Sequence, residues 1–348
     1  MIFDYALNTS SISQGFYDKF GNSIVIFPKW AVNKKPISGN WNVLKPIKSF
    51  IQELQNQNIK QFWMERSYAF GDILILISVA QYLKSIGFDA GICTSQRYVS
   101  IIRDMGIRAR GERNRESLED YGIKLDSTLE LDHSVSKLFH VHRSFIYLKA
   151  LGINKLPKIM PWNYDEKIFP AFDELTQRKF QFAKKNYIVF QGQGTTQKKQ
   201  LPRNTIESIC KWFLDMGINV IYVGNNINIH IDDKQLEKAF TKYTVRQLFT
   251  LIRHAKALVC MDSSPLWISH FTKTPVVSIL GPTRLQERLS LHPLYPEQAT
   301  AIQTNNIINC KPCHEQAKDC QQKVLCLASP AEKIFSLIKP IIKEFWEK

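Results

Sequence analysis

The chain has 348 residues, of which 44% are hydrophobic and 22% charged, a composition typical of a soluble globular protein and a length that suits two domains. It contains no apolar run long enough to cross a membrane and no secretory signal, so we expect a cytoplasmic protein, with the inner face of the membrane as an alternative location. Its formal net charge of +15 favours an anionic partner, such as a nucleotide, a nucleic acid or an anionic lipid or polysaccharide surface, although a lysine-rich proteome would produce the same balance.

The first half of the chain alternates between strands and helices after a start that gives few signals. We predict strands at 61–65 and 89–94, a strongly apolar helix at 72–86 and a helix around 98–105. This alternation is typical of a parallel sheet. Residues 1–60, which contain one strand-like and one helical stretch, are interpreted as an N-terminal addition to the first domain.

The turn between the first of these strands and its helix holds Arg66, Gly71 and Asp72. Glycine permits a tight backbone, and a carboxylate at a helix start is a good N-cap. The carboxyl end of a strand is also where an open sheet places its ligand chemistry, so Asp72 is a candidate general base as well. From position alone, the cap is the commoner explanation.

Two groups of basic side chains follow. Five arginines between residues 103 and 115 form a candidate anion-binding patch, with a solvated basic loop as the alternative. The segment 132–151 adds His140, His142 and Arg143, and the spacing of these two histidines keeps them off one helical face, which argues against a metal pair. We assign this segment an acceptor-facing or a surface role.

A proline-containing segment near 152–185 is interpreted as a linker between a first domain at 1–165 and a second at 180–330. After the linker the alternation restarts, which predicts another doubly wound sheet. The predicted strands are 187–190, 219–223, 257–261 and 275–280, and the predicted helices are 202–216 and 244–256, the second with Thr244 as its N-cap.

The loop after the strand at 187–190 suits phosphate binding. It reads QGQGTTQKKQL and contains Gly194, Thr195, Thr196 and Lys199. Glycines, hydroxyl groups and lysines at a strand end are typical of phosphate sites, although this loop does not follow the Walker pattern and its signal alone has low specificity.

The stretch 257–283 offers a second phosphate site. Asp262, Ser263 and Ser264 are good N-caps, and Pro265 is tolerated in a first helical turn. A helix that begins at the carboxyl end of a parallel strand directs N–H groups and a partial positive charge at a diphosphate. An ordinary capped helix between two core strands is the alternative.

Three pieces of the chain, in this order, resemble glycosyltransferase family 9, the ADP-heptose:lipopolysaccharide heptosyltransferases. They are Gly71-Asp72 with its apolar helix, the GQGTTQKKQLP loop, and residues 262–266 together with the TPVV and GPT motifs that follow them up to residue 283. The resemblance implies an α/β chain of the GT-B fold, with two facing Rossmann-like domains built on parallel sheets. It also implies inverting transfer of a heptose-like sugar from a nucleotide-diphosphate sugar, with no catalytic metal.

The same resemblance assigns roles to individual residues. Asp72 would deprotonate the acceptor hydroxyl, and Arg66, Gly71 and Arg143 would lie on the acceptor side. The implied donor-binding residues are Gly194, Thr195, Thr196, Lys199, Asp262, Ser263, Ser264, Gly281 and Pro282.

The chain departs from the family pattern at the third motif. Ser264 stands where the family has Gly, and Trp267 stands where it has His, while Leu201 replaces a Trp of the loop. Loss of the His puts the heptose donor in doubt, because another contact must serve the phosphate or the sugar. His270, one helical turn further on, is a candidate substitute.

Four of the seven cysteines lie close together near the end of the chain. In a cytoplasmic protein such spacing favours a structural zinc or iron site over disulfides, with reduced thiols as the alternative. The cluster also resembles the cysteine finger of the autotransporter heptosyltransferase branch, whose members modify protein acceptors and bind iron there. The four residues are Cys310, Cys313, Cys320 and Cys326.

The end of the chain, 331–348, is predicted as an amphipathic helix interrupted at Pro340, and the GT-B resemblance implies that it crosses back to the N-terminal domain. The leading functional hypothesis is a glycosyltransferase that acts on a lipopolysaccharide-type or protein acceptor. The alternatives are a glycosyltransferase that acts on a hydroxylated DNA base, motivated by the basic charge, and a catalytically dead nucleotide- or glycan-binding module, motivated by the missing His. The chain is also a candidate homo-oligomer.

Overall fold

The computed structural model describes residues 14–17, 23–26, 50–66, 69–111, 122–125, 141–153, 155–169, 186–194, 199–224, 229–240, 243–310, 312–313 and 326–347. The chain divides into two compact units, Met1–Tyr164 and Asp165–Lys348. Both have the α/β architecture that the alternating pattern predicts. No helix within the described ranges has the length and apolar character needed to cross a membrane.

The first unit is built on a six-stranded sheet. Its strands are β1 (Gln14–Tyr17), β2 (Ser23–Ile26), β3 (Gln61–Glu65), β4 (Asp89–Thr94), β5 (Ala109–Gly111) and β6 (Gly122–Lys124), and its helices are α1 (Phe50–Asn56), α2 (Phe70–Ser85), α3 (Gln96–Asp104) and α4 (Arg143–Ala150). The strand order is β2-β1-β6-β3-β4-β5. The last four strands in this order are parallel, while β1 and β2 form an antiparallel hairpin that joins the sheet at β6.

Helix α2 is the most deeply buried helix of this unit among those described. Its residues from Ile73 to Ala80 are all buried, as is Leu83. A helix that is apolar around its whole circumference is stable only when covered on all sides, and α2 packs against β4 and α4. Its first turn is thereby fixed at the carboxyl end of β3, where Asp72 lies.

The second unit is built on a six-stranded parallel sheet. Its strands are β7 (Tyr187–Gln191), β8 (Asn219–Gly224), β9 (Leu236–Phe240), β10 (Ala257–Met261), β11 (Val276–Leu280) and β12 (Ala299–Gln303). Its helices are a 3-10 turn (Glu166–Ile168), α5 (Arg203–Asp215), α6 (Val245–Arg253), α7 (Ser264–Thr272), α8 (Leu285–Leu289), α9 (Thr304–Ile307) and α10 (Ala331–Glu347).

The strand order of the second sheet is β12-β11-β10-β7-β8-β9. All its strand pairs are parallel. The chain runs outward from β7 to β9 and then returns to the other side of β7, which is the doubly wound order of dinucleotide-binding folds. The strand order therefore reverses between β7 and β10, and open sheets bind ligands at the carboxyl ends of the strands at such a point.

Helix α10 belongs to the second unit. It contacts α5 and strands β10, β11 and β12, and the ring of Phe335 stacks on Trp212 of α5 at 4.6 Å. The predicted interruption at Pro340 is wrong, because α10 continues through it. Pro340 is exposed, whereas Ile338 and Ile342 on either side of it are fully buried, so packing outweighs the lost backbone hydrogen bond. The return of this helix to the first domain stays a prediction.

The packing of α10 gives a stability test. Ile338 is 0% exposed and lies in the core of the second unit, whereas its neighbour Leu337 is 45% exposed. Ile338→Ala should lower the free energy of unfolding by about 2–5 kcal/mol, because it removes buried methyl groups and leaves a cavity. Leu337→Ala, the matched control, should change it by less than about 0.5 kcal/mol. Chemical denaturation followed by circular dichroism measures both, and equal effects would contradict the packing described.

Candidate active site

Asp72 lies in the first turn of α2 but does not cap it. The N-cap is Ala69, and Asp72 is the third residue of the helix, with its backbone N–H donating to the Ala69 carbonyl at 3.0 Å. Its carboxylate oxygen Oδ2 accepts a hydrogen bond from Arg66 Nη2 at 2.8 Å. The cap interpretation from sequence is therefore wrong, and the carboxylate is held by an arginine. Gly71 is part of the same helical turn.

Arg66, directly after β3, is fixed by contacts with two other strands or their ends. It is 7% exposed, its backbone N–H donates to Cys93 of β4 at 2.9 Å, and its Nη1 donates to the carbonyl of Leu125, just after β6, at 3.4 Å. An arginine held in this way cannot swing freely. Its guanidinium thus fixes the orientation of the Asp72 carboxylate, whereas a role in binding the acceptor stays a prediction.

Tyr147 of α4 lies beneath this ion pair. The guanidinium carbons of Arg66 and Arg143 are each 5.9 Å from the centre of its ring. Burial, and then the negative charge of Asp72, raise the pKa of the Tyr147 phenol well above its usual range, so the phenol stays protonated. Arg143 is itself buried, at 8% exposure. The structure therefore brings together Arg66, Asp72 and Arg143 of the predicted residues, with Tyr147 as an addition.

His142 is less exposed than the sequence suggested. His142 is 1% exposed and forms the N-cap of α4, accepting a hydrogen bond from the Ser144 N–H at 3.3 Å. Its ring packs edge-on to Trp162. His142 is therefore a structural cap and not a surface group, while His140 lies outside the described residues.

The arginine cluster has a structural use. Arg103 donates to the carbonyl of Ala109 at 2.9 Å, and Arg108 pairs with Asp89 at 2.7 Å. Arg108 and Arg110 also cover the ring of Trp63, at 4.7 and 4.0 Å from its centre. These three arginines hold β5 against the rest of the sheet, and the anion patch stays a prediction. Residues 113 and 115 lie outside the described ranges.

In the second unit, the loop after β7 folds back on itself. A side chain at Gly194 would place its Cβ 2.4 Å from both the Cβ and the carbonyl oxygen of Lys199, so only glycine fits. The Leu201 N–H closes the loop by donating to Gly192 at 2.9 Å. Lys199 is thereby brought to the carboxyl end of β7, while Thr195 and Thr196 lie outside the described residues.

Asp262, directly after β10, is held between two cations. Arg288 Nε donates to its Oδ1 at 2.8 Å, and Lys199 Nζ lies 3.2 Å from its Oδ2. Burial by itself would raise the pKa of the Asp262 carboxyl, but the charges of Arg288 and Lys199 outweigh it and hold this pKa well below its usual range. Asp262 is therefore ionised. Sequence reasoning missed Arg288, since nothing in the local pattern of α8 marks it.

Ser263 is the N-cap of α7, with Ser264 as the first helical residue and Pro265 in the first turn, as predicted. In the described structure, the Ser263 hydroxyl does not cap the helix and donates instead to Gln191 Oε1 at 2.9 Å. Gln191 also accepts from the Met261 N–H at 3.1 Å. The N-terminus of α7 thus lies at the carboxyl end of β10, beside β7, where the strand order reverses.

Gly281 and Pro282 follow β11 and are buried. A Cβ on Gly281 would lie 2.9 Å from Cys326 Sγ and 2.8 Å from the Leu327 side chain. Gly281 therefore allows residues 326–327 to pack against the end of the strand. A contact with the donor stays a prediction for both Gly281 and Pro282.

The model of the family described as Glycosyltransferase family 9 (heptosyltransferase) matches residues 139–324, more than half of the chain. The chain belongs to glycosyltransferase family 9. It is accordingly a glycosyltransferase. A search of curated protein sequences found no significant match.

Solved structures share the fold at low identity. TibC, a bacterial iron-containing dodecameric glycosyltransferase from enterotoxigenic E. coli H10407, has 14% identity and a TM-score of 0.54 over 82% of this chain and 76% of its own. The E. coli ADP-heptose lps heptosyltransferase II has 15% identity and a TM-score of 0.54, over 79% and 99%. A family 9 glycosyltransferase from Veillonella parvula DSM 2008 has 13% identity and a TM-score of 0.52, over 82% and 97%. The fold is GT-B, as predicted.

His270 does not substitute for the His that family 9 has at the position of Trp267. It is 0% exposed, its Nδ1 lies 3.0 Å from the carbonyl oxygen of Leu266, and it also bonds the backbone of Arg288. Burial lowers its pKa from 6.5 to about 4. A buried neutral ring that links α7 to α8 is a structural contact and not a phosphate ligand.

The cysteine cluster is not assembled by the residues that the structure describes. Cys326 is buried in the core of the second unit beside Gly281, and the backbone of Cys310 pairs with Asn305. Within the described ranges, no three His, Cys, Asp or Glu side chains form a metal-binding group. Cys320 lies outside those ranges. Cys310, Cys313 and Cys326 thus form no shared metal site in the described part of the chain, and a metal at the full cluster stays a prediction.

The buried His270 predicts a pH dependence of stability. Between its folded pKa of about 4 and its ordinary value of 6.5, the unfolded chain binds a proton that the folded chain does not, so the free energy of unfolding falls as pH decreases through this window. We expect His270 to contribute a loss of about 2 kcal/mol between pH 7 and pH 5.

Denaturant titration of wild type and His270→Gln at both pH values measures this contribution. The variant should lose the His270 part of the pH dependence, whatever its stability at pH 7. An identical pH dependence in both proteins would show that His270 is not held neutral by the fold.

Proposed function

We propose that this family 9 enzyme is an inverting transferase that moves a heptose-like sugar from a nucleotide-diphosphate sugar to a hydroxyl of a lipopolysaccharide-type or protein acceptor. We place the reaction in the cytoplasm or at the inner face of the membrane. The observation that carries the proposal is a cation-held carboxylate, Asp72, at the end of β3, together with a lysine and a helix N-terminus at the ends of β7 and β10.

Asp72 is suited to accept the proton of the acceptor hydroxyl. An inverting displacement needs one carboxylate within hydrogen-bond reach of the nucleophile. The side chain of Asp72 is 21% exposed while that of its partner Arg66 is 9% exposed, so the carboxylate is the more accessible of the two groups to a substrate. The neighbouring guanidinium, 2.8 Å away, holds the carboxylate in one orientation.

The donor side has to stabilise a departing diphosphate. The ammonium group of Lys199, whose side chain is 20% exposed, and the N-terminus of α7 supply positive charge where negative charge develops. Ser263 and Ser264 would present the backbone of this turn, and Gly194, Thr195 and Thr196 are proposed as further ligands of the diphosphate. Lys199 and the N-terminus of α7 would thus act on the leaving group and not on the nucleophile. In this proposal the second unit stabilises the leaving group, and the first unit supplies the base.

ADP-heptose is the donor to test first. TibC has been solved in complex with ADP-D-beta-D-heptose, and heptosyltransferase II is described as an ADP-heptose enzyme. Calorimetry with ADP-, UDP- and GDP-sugars should show binding of the ADP-sugar alone, and a preference for another nucleotide would replace the donor in this proposal.

TibC is dodecameric by its description, so we also expect a homo-oligomer, which light scattering of the purified protein measures.

The first functional prediction concerns the base. Asp72→Asn should lower the rate of ADP release from ADP-heptose in the presence of acceptor by about 100-fold or more, while leaving donor affinity nearly unchanged. Asp89→Asn is the matched control, because Asp89 also pairs with an arginine of the first unit but on its surface. Near-normal turnover of Asp72→Asn would leave Asp72 with a structural role only.

The second functional prediction concerns the diphosphate. Lys199→Ala should weaken binding of ADP far more than binding of adenosine, because the lysine is proposed to contact the phosphates, and we expect a loss of about tenfold or more for ADP. Lys211→Ala on the exposed face of α5 serves as the control. Calorimetry with both ligands measures the ratio, and equal losses would remove Lys199 from the diphosphate site.

A further inference from the structure

Asp262 has one cation on each of its carboxylate oxygens, and the two cations differ in depth. Arg288 Nε lies 2.8 Å from Oδ1, and its side chain is 6% exposed. Lys199 Nζ lies 3.2 Å from Oδ2, and its side chain is 20% exposed. The contact with Lys199 is therefore the longer of the two, and the lysine is the more exposed of the two cations to a ligand that approaches from solvent.

The two cations also differ in freedom. Lysine is a compact charge on a flexible stem, whereas arginine presents a planar fork that is held by its contacts. Lys199 sits on the loop of residues 192–201, but Arg288 is anchored from two sides. Its backbone bonds the buried His270 of α7, and its Nη1 lies 3.7 Å from the Glu287 carboxylate. Only the lysine can move toward a ligand without unpacking the core.

Asp262 and a bound diphosphate compete for Lys199, and Arg288 can reduce this competition. A diphosphate that draws Lys199 toward itself weakens the contact of this lysine with Asp262. A buried carboxylate that loses its partner is strongly destabilising, so Asp262 would oppose the transfer if Lys199 were its sole cation. With a second cation fixed on the other oxygen, the carboxylate stays paired after the lysine shifts.

We propose that Arg288 is a positioning residue of the donor site, which keeps Asp262 paired while Lys199 turns to the diphosphate. This inference rests on the proposed donor site and names a residue that the family motifs did not supply. Arg288 itself does not touch the ligand. Its effect on binding passes through Asp262, and it should therefore appear only with ligands that carry the diphosphate.

The test compares ligands with and without phosphates. Arg288→Met should raise the Kd for ADP by about tenfold or more and change the Kd for adenosine by less than about threefold, because only the diphosphate requires Lys199. Arg253→Met is the matched control, since Arg253 also pairs with a carboxylate, Glu166, but at the surface, and its affinities should equal those of wild type. Unchanged ADP binding in Arg288→Met, or equal losses for both ligands, would overturn the inference.

A double mutant separates an indirect role from a direct one. In an Asp262→Asn background there is no carboxylate to keep paired, so adding Arg288→Met should alter the Kd for ADP by less than about twofold. A further loss of about tenfold in that background would mean that Arg288 contacts the phosphates itself, and would overturn the inference.

The double mutant is also informative if Arg288→Met alone does not fold. The two substitutions together remove both the carboxylate and the guanidinium, so no buried charge is left unpaired by the loss of Arg288. The comparison of Asp262→Asn with the double mutant then decides. Failure of the wild-type protein to bind any nucleoside diphosphate would reject the proposed donor site, which is a different outcome from normal ADP binding by Arg288→Met.

Discussion

The second unit depends on the pairing of one carboxylate. Asp262 is 7% exposed, and a charge withdrawn from water to that extent is tolerated only when it is paired. Its two partners come from different places in the fold, one from the loop after β7 and one from α8. The single ion cluster thus fixes the loop, the turn into α7 and α8 relative to one another at the point where the strand order of the sheet reverses. The proposed donor site and the stability of this unit thus share the same charges.

Much of the fold was predictable because its strands are short apolar runs buried on both faces. Strands β3, β4 and β10 have the predicted bounds, and α6 begins after Thr244 with a capping box, as a local pattern of side chains can specify. The strands that were missed carry weaker patterns. β9 reads LEKAF and is an edge strand of its sheet, so only part of it is covered and its apolar residues do not form a run.

The site was predictable in its parts but not in its contacts. Asp72 was placed at the start of α2 from sequence, yet whether it caps the helix depends on a shift of three residues that propensities do not resolve. The pairing of Lys199 with Asp262 joins two loops that meet only because β7 and β10 are neighbours in the sheet. Arg288 lies on a helix of five residues without periodicity, and His270 looked available because sequence does not show which face of α7 is buried.

The arginines beside β5 have a consequence for the protein as a solute. β5 is the last strand in the order of the first sheet and is only three residues long. A free strand edge is a template on which another chain can add a strand, and short, charged edges prevent such addition. Arg110 of β5 and Arg108 just before it, both lying over Trp63, place basic side chains beside this short strand. Among the described residues, part of the basic surplus of the chain therefore lies where it opposes the addition of another strand to the sheet.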